Sequence, residues 1–157
     1  MYKKIKKIVN LLKKKKISLS VAESCTGGML AQNVTSINGA SKIFKFGIIT
    51  YSNQSKMKHL KISSKVINKY GSVSEECCGA MVKNLSKISN SKLNIAITGI
   101  AGPDGGSKDK PVGLVYVGIK KGRTVIIKEN KFKFKKRNLI QLLTVKEIIK
   151  LILKIIL

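Results

Sequence analysis

The sequence predicts an α/β protein, a three-layer α/β/α sandwich built on a mixed sheet, and three observations carry that expectation. Short apolar runs alternate along the chain with segments of helical period, the pattern of strands covered by helices. Two of the runs, 93–98 and 112–119, are almost continuously apolar, as central strands buried on both faces are. No internal repeat, linker or low-complexity spacer breaks the 157 residues, a length that suits a single domain over 1–157 with a real core and no need of staples.

Each element has its own local reason. Residues 1–16 place Ile5, Ile8, Val9, Leu11 and Leu12 between lysine pairs, an amphipathic helix with a charged outer face. Residues 17–22 read as a strand, 28–36 as a helix closed by Asn38-Gly39, and 44–51 as a second strand. The stretch 51–56 is expected to be a loop. A short helix over 63–69 ends at Gly71, and Ser74 caps the next, with Glu75 and Glu76 in its first turn to complement the dipole and an end near Lys87. Residues 125–134 alternate in polarity and are expected nearer a sheet edge. The run 139–157 is apolar on most sides, but Lys146, Glu147, Lys150 and Lys154 interrupt it, so it suits a core or subunit-interface helix better than a membrane span. A homodimer through that helix is the expected assembly.

Composition limits the function classes. Thirty-two basic residues face seven acidic ones, a formal charge of +25. Such an excess normally points to nucleic acid, yet arginine, the residue of bidentate phosphate and guanine contacts, occurs only at 123 and 137. The lysines are scattered among isoleucine and asparagine, so most are read as solvated surface. No specific nucleic acid and no membrane is expected, while an anionic small molecule would be electrostatically welcome. Cys25, Cys77 and Cys78 cannot pair off completely, which points to a reducing compartment, the cytoplasm. One histidine, His59, and no C-x-x-C leave no ligand spacing for zinc.

Three loops follow apolar strands, and parallel pairing would gather them at one sheet edge. The first is Val21-Ala-Glu-Ser-Cys-Thr-Gly-Gly28, where Ser24 would sit at the mouth of a helix and Gly27 and Gly28 would let a substrate approach the backbone. A plain strand-to-helix turn with Thr26 as N-cap explains the same residues. The second is Tyr51-Ser-Asn-Gln-Ser-Lys56 and the third Thr98-Gly-Ile-Ala-Gly-Pro-Asp-Gly-Gly106. Carboxylates and imidazole are too scarce there for acid/base pairs or a Ser-His-Asp triad. Lysine is left as the base for a serine nucleophile, because desolvation and like charge both lower an ammonium pKa. Lys56, with Tyr51 close by to relay or steady the proton, is the candidate, although the residues alone favour one more surface lysine. Cys25 is read as a packed thiol, Glu23 as either a site-orienting group or a local cap, and Asp104 as a turn former.

The motifs Ala22-Glu-Ser-Cys-Thr-Gly-Gly28, Gly39-Ala-Ser41, Thr50-Tyr-Ser-Asn53 with Lys56, Gly71-Ser-Val-Ser-Glu75, Thr98 to Gly106 and Lys110-Pro-Val-Gly113 together resemble the competence-damage-inducible CinA C-terminal family. The resemblance covers nearly the whole chain and keeps the family's order. It implies a nicotinamide-nucleotide amidohydrolase, which converts nicotinamide mononucleotide and water to nicotinate mononucleotide and ammonia in pyridine nucleotide salvage. It implies a metal-free, cofactor-free serine–lysine mechanism on an α/β/α fold, without the additional N-terminal domain that some relatives carry. By position, Ser24 would be the nucleophile and Lys56 the base, with Tyr51 and Thr98 completing the catalytic group. Thr26, Gly27, Gly28, Gly99 and Arg137 would meet the substrate, Arg137 gripping its phosphate or else forming a fixed interface ion pair. Around Arg137 the chain departs from the family, which shows Gly-Asp before this arginine and a second arginine four residues later. Here Lys135-Lys136 precede it and Gln141 follows. A nucleotide-binding module without catalysis and a lysine-driven nucleic-acid binder are the alternative classes.

Overall fold

The computed structural model describes residues 1–157. Along the chain run α1 (Tyr2–Lys14), β1 (Leu19–Glu23), α2 (Met29–Thr35), a single 3₁₀ turn (Ala40–Lys42), β2 (Phe44–Ile49), α3 (Asn53–Leu60), α4 (Ser64–Tyr70), α5 (Glu75–Ser89), β3 (Leu93–Gly99), β4 (Leu114–Lys121), β5 (Thr124–Lys131) and α6 (Arg137–Ile156). The five strands form one mixed sheet in the order β2-β1-β3-β4-β5. β1 runs parallel to both β2 and β3, whereas β3–β4 and β4–β5 are antiparallel.

Alternation along the strands sorts the core into two unequal halves. Leu19 and Val21 of β1, Ile95 and Ile97 of β3, and Val117 and Ile119 of β4 join α1, α2 and α6 in a cluster of 25 buried residues. The opposite face presents the small side chains Ala22 and Ala96 to Cys77, Met81, Val82 and Leu85 of α5, in a cluster of 9. Small residues there let α5 lie close across the sheet centre. The apolar surface of α6 goes largely into the protein's own core through Ile140, Val145, Ile148, Ile149, Ile152 and Ile156. No helix is long and apolar enough to cross a membrane.

Several boundaries differ from the sequence expectation, each for a local reason. The stretch expected as a loop at 51–56 turns helical at Asn53, because Ser52 accepts the Ser55 N–H at 3.0 Å and caps α3. β2 stops at Ile49, and β4 begins at Leu114, after Gly113 has turned the chain. β5 ends at Lys131, so Phe132 and Phe134 lie beyond the ladder. The cap of α2 is not Thr26: Gly28 holds that position, and the Glu23 carboxylate accepts the N–H groups of Gly28, Leu30 and Ala31 at 2.8–3.1 Å.

Candidate active site

Because β1, β2 and β3 are parallel neighbours, the segments that follow them meet at one edge of the sheet. Ser24 leaves the end of β1, and α3 swings back over it after β2. Lys56 is the one buried lysine of the chain, at 2% exposure. Its Nζ lies 2.9 Å from Ser24 Oγ and also donates to the Thr50 carbonyl at 2.8 Å. The amine is therefore held on two sides, aimed at a hydroxyl 32 positions away in sequence. Burial pushes the Lys56 pKa below its ordinary value, because leaving water disfavours the ammonium; the nearby Cys77 and Cys25 thiols oppose that shift. Those thiols are themselves buried, and burial raises Cys25 to about 12. At neutral pH Cys25 is a packed thiol, so the neighbouring hydroxyl has no thiolate rival.

A cleft of about 240 Å³ opens over this pair, walled by Tyr51, Ser72, Thr98, Gly99, Asp104 and Arg137 among others. Thr98 is buried, and its hydroxyl donates to the Ser72 carbonyl at 2.7 Å, tying β3 to the approach to α5. Gly99 lies where β4 comes close, and a Cβ there would meet the Leu114 carbonyl at 2.8 Å. Tyr51 stands at the mouth with its side chain exposed, and its hydroxyl accepts from Arg137 rather than from Lys56. The expected relay from Tyr51 to Lys56 is thus replaced by a link to Arg137. Arg137 opens α6 and donates a second time to the Gly102 carbonyl at 2.9 Å.

The structure keeps Thr26, Gly27 and Gly28 out of the cleft wall. They form the turn beneath α2, where Gly27 and Gly28 take positive φ and their N–H groups donate to the Ser24 carbonyl and the Glu23 carboxylate. Those two amides are therefore spent inside the turn. The Cys25 and Thr26 N–H groups have no backbone acceptor, and the buried Thr26 hydroxyl is unpartnered. No three His, Cys, Asp or Glu side chains come together as a metal-ligand set.

The sequence model of the CinA C-terminal domain matches residues 2–156. The chain belongs to the CinA C-terminal domain family. A competence-damage inducible protein of Thermoanaerobacter pseudethanolicus is 44% identical over 122 residues, covering 78% of this chain and 30% of its own length. A CinA-like protein of Kosmotoga olearia is 45% identical over 122 residues, 77% of this chain and 30% of its own length. The chain thus spans about a third of those relatives. Among solved structures, the competence/damage inducible protein of Agrobacterium tumefaciens superposes with a TM-score of 0.89 at 31% identity, covering 96% of this chain and 94% of that one. A CinA superfamily protein of Klebsiella pneumoniae reaches 0.94 at 22% identity, over 99% and 96%.

One open reading is decided here, and one residue of the site had no role assigned from sequence. Glu23, left there between two roles, caps α2. Gln141, noted only as a departure from the family, donates to the Cys25 carbonyl at 2.8 Å across 116 residues of sequence. The available signal was its spacing, one helical turn after Arg137, which puts both on one face of α6.

Proposed function

We propose that the chain is a metal-independent amidohydrolase that deamidates nicotinamide mononucleotide to nicotinate mononucleotide and ammonia through a serine–lysine acyl-enzyme. The carrying observation is the buried Lys56 amine 2.9 Å from Ser24 Oγ. A neutral Lys56 accepts the Ser24 proton as Oγ attacks the carboxamide carbon, forming a C–O bond and an oxyanion. The Cys25 amide, at the cleft wall and without a backbone acceptor, is the donor left to receive that charge. Lys56 returns the proton to the amide nitrogen, the C–N bond breaks and ammonia leaves. Water then gives a proton to Lys56 while its oxygen attacks the ester, and the nicotinate carboxylate departs as Ser24 regains its hydrogen. Arg137, at the cleft wall, suits the phosphate of the nucleotide.

Ammonia release from nicotinamide mononucleotide, with no metal added, is the direct test. Ser24→Ala and Lys56→Ala each abolish it on this reading. Turnover that survives both substitutions removes the serine–lysine chemistry, and tight nucleotide binding without turnover in the unaltered chain makes it a binding module.

A further inference from the structure

The first turns of α6 reach three loops of the site. From one helix face, Arg137 donates to the Tyr51 hydroxyl of the second loop and to the Gly102 carbonyl of the third. One turn on, Gln141 donates to the Cys25 carbonyl of the first. The Cys25 carbonyl belongs to the peptide immediately after the nucleophile. A planar trans peptide fixes its C=O and the following N–H as one rigid unit. Holding Cys25 O therefore holds the direction of the Thr26 N–H and limits rotation of the backbone that carries Ser24. No other hydrogen bond joins the turn to α6. Glu23 pins its far end through α2, and Lys56 meets Ser24 only through the hydroxyl.

We propose that Gln141 is a positioning residue, which sets the Ser24–Cys25–Thr26 backbone against Lys56 by its hydrogen bond to the Cys25 carbonyl. This rests on Ser24 being the nucleophile, though not on the identity of the amide substrate. A nucleophile held loosely reacts slowly even when substrate still binds, and a displacement of about 1 Å costs on the order of 100-fold in rate. Loss of the bond therefore lowers kcat and leaves KM nearly unchanged.

The test uses two readouts on the full chain: ammonia release from nicotinamide mononucleotide, and the rate at which a fluorophosphonate probe labels Ser24, read by mass spectrometry. Gln141→Met keeps the side-chain length and removes the donor; Gln141→Glu keeps size and polarity but sets oxygen against oxygen. Each slows Ser24 labelling and kcat by about tenfold or more, with KM within about twofold. Gln141→Lys, which restores a donor, recovers the rate to within about threefold of the unaltered chain. A residue that merely fastens α6 would lower Tm in the Met and Glu variants and leave labelling untouched, and that result overturns the proposal. So does failure of the probe to label Ser24 in the unaltered chain. If Ser24 is labelled and the variants slow it while nicotinamide mononucleotide is not hydrolysed, the substrate reading falls and the positioning role stands.

Discussion

Burial works against the charge on Lys56, and the sign of that effect fixes two pH dependences. Its folded pKa lies below the ordinary 10.5. The neutral amine needed to accept the Ser24 proton therefore accumulates below the pH at which exposed lysines titrate, so kcat/KM for ammonia release should rise with pH on a limb centred below 10.5. Stability moves the same way. Between the folded value and 10.5 the unfolded chain binds a proton that the native protein lacks, so unfolding free energy rises with pH across that window and levels off above it. Loss of self-repulsion among the surface lysines adds a similar slope, so the informative quantity is the difference from Lys56→Met, which should show a shallower rise in urea midpoint. Equal slopes in the two proteins would mean that Lys56 titrates like a surface residue. None of this could be seen in the sequence, where Lys56 looks like every other lysine. The loop residues could name it as a candidate base but not part it from a surface lysine, because its burial depends on a helix folding back over β1.

At the scale of elements, the parallel order β2-β1-β3 is what assembles the site; the gathering of three loops at one edge was legible from the apolar runs and the polar segments behind them, the strand order was not. α3 was not. Its sequence Asn-Gln-Ser-Lys-Met-Lys-His-Leu offers no apolar stripe, and only Lys56 and Leu60 are buried, so periodicity had nothing to detect. The α2 terminus was half-legible: the turn residues were evident, but a carboxylate at the end of β1 acting as its cap requires knowing which face Glu23 occupies. Glu23 shares its face with Leu19 and Val21, is fully buried, and accepts three N–H groups. Charge-assisted bonds at a helix N-terminus are strong, and removing the acceptor strands one buried and two half-buried donors. Glu23→Ala should therefore cost about 3 kcal/mol, roughly 6–12 °C in Tm for a chain of this size. Calorimetry checks this, and a loss under about 1 kcal/mol would show that water replaces the carboxylate freely.

Across the whole molecule the charge is the dominant unsatisfied quantity. Of seven acidic residues, Glu23 is committed to a helix terminus inside the protein, and Glu129 and Glu147 carry all three ion pairs, with Lys128, Lys131 and Lys150. Most of the 32 basic side chains therefore face one another across water without a counter-charge. Exposed pairs stabilise by only about 0–1 kcal/mol each, so those three cannot offset the self-repulsion of a chain at +25. Salt screens repulsion over a Debye length that shrinks from about 30 Å at 0.01 M to about 10 Å at 0.1 M. Most proteins have near-balanced surfaces and respond weakly; this one should gain stability on addition of plain sodium chloride. Raising it from about 10 mM to about 300 mM should add on the order of 1–2 kcal/mol, roughly 2–8 °C in Tm, with most of the gain complete by about 0.1 M, where the Debye length has already fallen to about 10 Å. The early plateau separates screening from the preferential exclusion of salt, which strengthens burial steadily with concentration. A Tm that falls or stays level over this range would mean that the lysines repel one another mainly in the unfolded chain, so that folding neither concentrates nor relieves their charge.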